Sequence, residues 1–175
     1  MTIAAHDTVP DFTLPDTEGR PVALSAGDSP ATVVVFTCNH CPYALAWHER
    51  INDVARDYAD RGVRVLQINP NDPARHPRDS FEAMQERVAH GEFAGPYLHD
   101  ESQDVARAFG AKTTPDVFVV GPDGRLAYRG APDADHGEPA LRAQWLRAAL
   151  DDVLAGRPVG TPETKPVGCS VKWRQ

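Results

Sequence analysis

Two cysteines separated by two residues stand where the sequence changes from strand-like to helix-like. The stretch "VVVFTCNHCPYALAWHER", residues 33–50, begins with β-branched and aromatic residues and continues, after Cys38 to Pro42, with apolar residues at helical spacing. A thiol at the N-terminus of a helix faces unpaired backbone N–H groups and the positive end of the helix dipole, which both favour the thiolate. In a Cys-X-X-Cys setting the pKa of a cysteine can fall to roughly 3.5–7.5.

The spacing of the motif predicts disulfide chemistry. Two intervening residues bring Cys41 within reach of Cys38 in one helical turn, so a mixed disulfide on Cys38 can be resolved by Cys41. His40, when protonated, would stabilise the Cys38 thiolate further. Pro42 lacks a backbone N–H and is tolerated near the start of a helix, which supports this placement.

Metal binding is the alternative use of the same residues. Cys38, Cys41 and His40 are all ligand types for zinc or copper, but no second Cys-X-X-Cys or His-X₃-His supplies the remaining ligands of a closed zinc site. The acidic stretch "PDADHGE", residues 132–138, is interpreted as a loop and N-cap before the last helix. The other histidines are interpreted as solvated surface residues: His6, His48, His76, His90, His99 and His136.

Composition and charge limit the other possibilities. With 175 residues, 41% hydrophobic and 25% charged, the chain has the size and composition of one globular domain spanning 1–175. The net charge of −7 argues against general binding to nucleic acid or an anionic membrane. No signal peptide and no membrane-spanning run is recognised, so we expect a cytoplasmic protein. In a reducing cytosol a close cysteine pair is more often catalytic or metal-binding than a structural disulfide.

Strands and helices are predicted to alternate along the chain. We expect a hairpin over 11–25, a buried strand over 31–37, a helix over 42–58 and a strand over 63–69. Helices over 80–89 and 103–109, a strand over 116–121, a hairpin turn at Asp123-Gly124 and a last helix over 139–155 follow. This order predicts an α/β sandwich with a mixed central sheet flanked by helices, and it puts the cysteines at the carboxyl edge of that sheet.

Several motifs spread over the chain carry a family resemblance. The stretches "FTCNHCPY", "QINPND", "AFGAKTTPDVFVV", "YRG" and "TPETKPVGCSVKW" resemble the peroxiredoxin-like branch of the thioredoxin superfamily, and "VPDFTLPDTEGRPVALS" is similar to the N-terminal hairpin of the AhpC/TSA group. The resemblance implies a thioredoxin-like three-layer sandwich with Cys38 as attacking thiol and Cys41 as resolving thiol. It also implies that Pro115 is a cis-proline facing the cysteines, with Thr114 offering backbone hydrogen bonds to an extended substrate.

The sequence departs from these families at functional positions. Peroxiredoxins, as a family, carry Pro-X₃-Thr-X₂-Cys around the cysteine that attacks peroxide; aligned on Cys41, this chain has Val34 at the proline position and Cys38 at the threonine position. Thioredoxins resemble one another in a buried aspartate six residues before the first cysteine, where this chain has Thr32, which cannot act as a general base. We therefore expect thiol–disulfide exchange, with peroxide reduction as the alternative.

The third cysteine lies in a tail, residues 156–175, that is rich in proline and glycine. In "VGCSVKW" every second residue, from Val167 through Cys169 to Trp173, points to one side of an extended segment and forms an apolar face. Prolines stiffen the approach and lower the entropy lost on docking. We predict that the tail packs back on the domain and brings Cys169 near the dithiol, as a candidate third redox thiol.

Together these features predict a cytoplasmic thiol–disulfide oxidoreductase that acts on a protein or small-molecule disulfide. A peroxide is the alternative substrate, and a zinc or copper ion bound by the cysteines is the alternative ligand. We expect a cellular dithiol as reductant, and we expect no organic cofactor, nucleic acid or membrane as a partner.

Overall fold

A five-stranded sheet forms the centre of the protein in the computed structural model, which describes residues 3–175. The strands are β1 Phe12–Pro15, β2 Pro21–Leu24, β3 Thr32–Phe36, β4 Arg64–Asn69, β5 Tyr97–His99, β6 Thr113–Thr114, β7 Asp116–Val120, β8 Leu126–Gly130 and β9 Cys169–Ser170. The helices are α1 Pro42–Tyr58, α2 Phe81–Ala89, α3 Asp104–Phe109 and α4 Gln144–Leu154. In the described part of the chain, no helix has the length and apolar character needed to cross a bilayer.

The central sheet is mixed, as predicted. Its strand order is β5-β4-β3-β7-β8, with β3, β4 and β5 parallel and with β7 and β8 antiparallel to their neighbours. The predicted N-terminal hairpin is present as β1 and β2. A second two-stranded pair joins β6 to β9, so a strand of the tail is hydrogen-bonded to the chain just before Pro115.

Strand β3 is buried on both faces because it lies in the middle of three layers. Val33 and Val35 face one side and pack with α1 and α4, whereas Val34 and Phe36 face the other side and pack with α3 and the hairpin. Burying each of these side chains contributes roughly 1.5–3 kcal/mol, which explains the unbroken apolar run in the sequence. The three-layer α/β sandwich is confirmed.

The last helix begins later than predicted. Residues Pro139–Leu141 form a 3-10 turn, and Arg142 and Ala143 then adopt positive φ angles of 54° and 57°, so α4 starts only at Gln144. The backbone N–H of Ala143 donates to the Asp133 carboxylate at 2.9 Å, which holds the chain in this break. A tertiary contact therefore overrides the helical pattern of the sequence.

The acidic loop before α4 fastens α1 to the domain. The buried Asp133 carboxylate accepts hydrogen bonds from Trp47 Nε1 at 2.8 Å and from Arg50 Nη1 at 2.9 Å. Removing one partner of such a buried ion pair costs about 3–5 kcal/mol, because the other charge stays desolvated. The loop is thus a structural clamp on the helix that carries the cysteines.

Candidate active site

The two cysteines lie at the seam between β3 and α1, with their sulfurs inside the protein. Cys41 is the N-cap residue of α1 and Pro42 occupies the first turn, where its missing N–H leaves no helical bond unmade. The relative exposure is 1% for Cys38 and 0% for Cys41. The pair is therefore placed at the helix N-terminus, but it is covered.

Threonine 114 contacts both sulfurs. The backbone N–H of Cys41 donates to Cys38 Sγ at 3.3 Å, and Cys38 Sγ lies 3.5 Å from the Thr114 hydroxyl. Cys41 Sγ donates to the Thr114 carbonyl oxygen at 3.1 Å. The Thr114–Pro115 peptide bond is cis. Strand β6 and Pro115 thus face the two cysteines directly, although they are more than seventy residues away in sequence.

The hydrogen bond between the two sulfurs dominates their ionisation. This bond lowers the pKa of Cys41 to about 4, whereas the same bond, burial and the Asp79 charge raise the pKa of Cys38. Hydrogen bonds from Thr114 and the His40 backbone act on Cys38 in the opposite direction. Because either thiol can donate the sulfur–sulfur bond, the pair loses one proton readily and holds the second. The dithiol is therefore a monoanion at neutral pH.

His40 lies against a buried carboxylate, not alone beside the thiols. Its Nδ1 is 2.6 Å from Asp79 Oδ2, a close charge contact in which the ring is not aligned for a regular hydrogen bond. The His76 ring stacks in parallel on the His40 ring, with centroids 5.4 Å apart. The His40 ring is thus held between a buried carboxylate and a second imidazole ring.

Asp79 is the functional residue that sequence reasoning missed. It lies in the 3-10 turn Pro77–Asp79, in the proline-rich loop after β4, and its side chain is completely buried. The N–H of Asn39 donates to its Oδ1 at 2.7 Å, and Asn71 Nδ2 donates to its Oδ2 at 2.9 Å. One signal could have found it: loops after the parallel strands β3 and β4 meet at the same edge of the sheet.

Asn39, between the two cysteines, anchors the motif to the rest of the domain. Its side-chain oxygen accepts hydrogen bonds from Tyr97 Oη at 2.7 Å and from Arg87 Nη1 at 3.0 Å.

The position that holds the buried aspartate in thioredoxins is occupied by Thr32, which is buried and hydrogen-bonded to the Ser29 hydroxyl at 2.8 Å. The acidic group near the dithiol therefore comes from a different loop than in thioredoxins.

The tail brings the third cysteine to the dithiol. Thr114 and Cys169 are partners in the antiparallel pairing of β6 with β9, and Cys169 packs against the buried cluster that holds the cysteine pair. Burial and hydrogen bonding to Cys41 raise the pKa of Cys169 to about 11. Cys169 is thus a neutral thiol in contact with Cys41.

A group of metal-ligand types exists at the site, but it differs from the predicted one. One potential ligand atom each of Cys38, His40 and Asp79 lies within 4.8 Å of the other two. The set of thiolate, imidazole and carboxylate suits Zn²⁺. Among the described residues, the third possible ligand beside Cys38 and His40 is therefore Asp79, whereas the sequence predicted Cys41.

Two histidines predicted on the surface are buried. His48 lies on the inner side of α1 against the carbonyl oxygen of Glu92, and His99, at the end of β5, lies against the Phe81 ring at a tilt of 35°. Burial lowers the pKa of both rings, so both are neutral at physiological pH. Their interpretation as solvated residues was wrong. A histidine is found on both buried and exposed faces, so the residue type alone does not show which face of a helix or strand it occupies.

The fold and its cysteine pair define a member of the thioredoxin superfamily with peroxiredoxin-like features. Residues 5–129, more than half of the chain, match the AhpC/TSA family. The chain therefore belongs to the AhpC/TSA family. The matched stretch includes Cys38, Cys41, Thr114 and Pro115, whereas Cys169 lies outside it.

Several bacterial proteins are similar over most of the chain. A hypothetical protein from Sinorhizobium meliloti 1021 is 38% identical, with a TM-score of 0.92 over 99% of this chain and 97% of that one. An uncharacterized conserved protein from Geobacillus kaustophilus is 37% identical, with a TM-score of 0.92 over 98% of this chain and 93% of that one. The thiol-disulfide oxidoreductase ResA of Geobacillus thermodenitrificans (strain NG80-2) is 25% identical over 71% of this chain and 67% of that protein.

Proposed function

We propose that this protein is a thiol–disulfide oxidoreductase in which Cys38 attacks and Cys41 resolves. The observation that carries the proposal is the contact of both sulfurs with Thr114, opposite the N-terminus of α1. Similarity to a relative named thiol-disulfide oxidoreductase supports the same reaction class. The substrate is a disulfide in a protein or small molecule, and the reductant is a cellular dithiol of the cytoplasm.

We assign the thiolate to Cys38 because of two contacts whose direction cannot reverse. The backbone N–H of Cys41 can only donate, and it is directed at the Cys38 sulfur. The carbonyl oxygen of Thr114 can only accept, so the Cys41 sulfur must keep its proton to make that bond. The interaction between the sulfurs would by itself favour the anion on Cys41. With the single Cys41 proton directed at the Thr114 carbonyl oxygen, the charge belongs on Cys38.

The reaction proceeds in two exchanges. The Cys38 thiolate attacks one sulfur of the substrate disulfide; a Cys38–substrate bond forms, the substrate S–S bond breaks, and the second sulfur leaves as a thiolate. Cys41 then attacks the Cys38 sulfur and passes its proton to the departing substrate sulfur, which leaves a Cys38–Cys41 disulfide. The substrate gains two electrons, the cysteine pair loses two, and the external dithiol restores the pair by the reverse exchange.

Insulin reduction by dithiothreitol tests this function. Wild-type protein should accelerate the reaction, and Cys38→Ser should reduce the rate to that of the uncatalysed control. Cys41→Ser should stop turnover while accumulating a mixed disulfide on Cys38, which mass spectrometry detects. The fully alkylated wild type is the matched control. Full activity of the Cys38→Ser protein, or no acceleration by wild type, would contradict the proposal.

Peroxide reduction is the second candidate, and two observations favour it: membership in the AhpC/TSA family and the lowered pKa of Cys41. In this case the Cys41 thiolate would attack peroxide and Cys38 would resolve the sulfenic acid. Val34 and Cys38 stand where peroxide-orienting residues belong, which is why exchange is preferred. Saturable hydrogen peroxide consumption that survives Cys38→Ser and is lost in Cys41→Ser would replace the exchange function.

Zinc or copper binding is the third candidate, supported by the ligand group of Cys38, His40 and Asp79. Metal analysis of protein purified without chelators distinguishes it from exchange. The exchange function predicts insulin reduction that is unaffected by removal of metal. One tightly held ion per chain, whose removal abolishes a folded reduced state, would support the metal-binding function instead.

A further inference from the structure

The tail occupies the edge of β6 at Thr114, where the family resemblance implies that an extended substrate would bind. Strand β9 pairs with β6, and a Cβ placed on Gly168 would lie 2.3 Å from the Thr114 carbonyl oxygen. Glycine at this position therefore allows the tail backbone to approach β6 closely. The chain places its own cysteine-containing segment where a substrate strand would bind.

Contacts on the C-terminal side of Cys169 hold this segment in register. The side chain of Val171 is buried with the core cluster between the sheet, the hairpin and α3, and its N–H donates to the Lys112 carbonyl oxygen at 3.1 Å. The Lys172 N–H donates to Asn71 Oδ1 at 2.9 Å, and Gln103 Nε2 donates to the Lys172 carbonyl oxygen at 2.9 Å. The position of Cys169 is thus specified by polar contacts and does not depend on apolar docking alone.

The three sulfurs differ in access to solvent. Cys38 and Cys41 are almost fully buried, whereas Cys169 is partly exposed. The register partner of Cys169 is Thr114, whose carbonyl oxygen accepts a hydrogen bond from Cys41 Sγ. Cys169 and Cys41 also act on each other's pKa, so the resolving thiol is the partner of Cys169 within the cluster. A disulfide formed inside the site is therefore poorly accessible to an external dithiol unless it moves outward.

We propose that Cys169 is a third redox thiol that receives the disulfide from the buried pair by exchange with Cys41, an inference that rests on the proposed oxidoreductase function. The Cys169 sulfur attacks Cys41 Sγ of the Cys38–Cys41 disulfide; the Cys41–Cys169 bond forms and the Cys38–Cys41 bond breaks. Cys38 leaves as a thiolate held by the Cys41 N–H, and the Cys169 proton passes to water. No electrons enter or leave, since the disulfide only changes partners. The outer disulfide is then open to the reducing dithiol.

The pairing is tested with two single variants of the full chain. Cys38→Ser and Cys41→Ser proteins are oxidised mildly with diamide, trapped with acid and mapped by non-reducing mass spectrometry. We expect an intrachain Cys41–Cys169 disulfide in Cys38→Ser to form about tenfold faster than a Cys38–Cys169 disulfide in Cys41→Ser, because Cys41 is the sulfur that interacts with Cys169. The double variant Cys38→Ser/Cys169→Ser is the matched control and should form no intrachain disulfide.

Wild-type protein supplies a second measurement that needs no substitution. Oxidised wild type equilibrated with a glutathione buffer should contain a fraction with a Cys41–Cys169 disulfide and alkylatable Cys38. Free Cys169 in the oxidised Cys38→Ser protein, or a disulfide of Cys169 formed only between chains, overturns the third-thiol role. If wild type reduces insulin in that case, the proposed function stands. A Cys41–Cys169 disulfide in a wild type that does not reduce insulin supports the exchange and overturns the oxidoreductase function.

Discussion

Replacing Asp79 with Asn should lower the pKa of Cys38. After the Cys41 hydrogen bond and burial, the Asp79 charge is the third cause that raises this pKa, and its ligand atom lies within 4.8 Å of the Cys38 sulfur. At this distance and an effective dielectric constant of about 20, two unit charges interact by about 3.5 kcal/mol, or about 2.5 pKa units. Because the groups that contact the Asp79 carboxylate offset part of this interaction, we expect a fall of about 1–2 units.

The rate of iodoacetamide alkylation as a function of pH, with Cys38 quantified by mass spectrometry, measures this shift. Asparagine keeps a side-chain oxygen for the Asn39 N–H, so the local turn should persist. The matched control is Asp100→Asn, which changes another buried carboxylate that is not among the charges acting on Cys38. A more stable thiolate favours the reduced form, so the disulfide should also become more oxidising by up to about 30 mV per pKa unit.

The direction of the change in the Cys38 pKa tests whether the Asp79 charge acts on the thiol. If Asp79→Asn leaves the pKa of Cys38 unchanged or raises it while circular dichroism shows an intact fold, the buried charge does not act on the thiol. A fall of similar size in Asp100→Asn would show that the effect is a general response to lost carboxylates. Only a selective fall supports the coupling between the β4 loop and the dithiol.

Two further predictions concern residues on either side of the dithiol. His40→Gln removes a ring that can carry positive charge against the Asp79 carboxylate and should raise the pKa of Cys38 by about one unit. An unchanged reduction potential in glutathione buffers would show that the ring does not affect the thiolate. Gly168→Ala forces a Cβ against the Thr114 carbonyl oxygen and should release β9, increasing the alkylation rate of the buried cysteines by about tenfold. In the same tail Gly160→Ala meets its nearest atom only at 3.8 Å and should behave as wild type, so equal rates in the two variants would refute the release of β9.

Much of the fold could be predicted from the sequence because it depends on local patterns. Strand β3 is an apolar run, α1 has apolar residues at helical spacing, and the hairpin β1–β2 has a turn signal between two extended segments. The position of the junction between β3 and α1 could also be predicted, since the cysteines and Pro42 are neighbours in sequence. In contrast, β5, β6 and β9 have only two or three residues each, and such short strands exist because of their partners.

The sequence by itself predicted thiol–disulfide chemistry for the Cys38–Cys41 motif and predicted that the tail would approach it. Only the tertiary structure decided which groups surround the sulfurs. Parallel pairing of β3 with β4 brings Asp79 against His40, and pairing of β6 with β9 puts Cys169 against the cysteine pair. These placements depend on contacts between segments far apart in the chain. A local sequence pattern does not predict such contacts, because each segment would have the same pattern if it paired with a different segment.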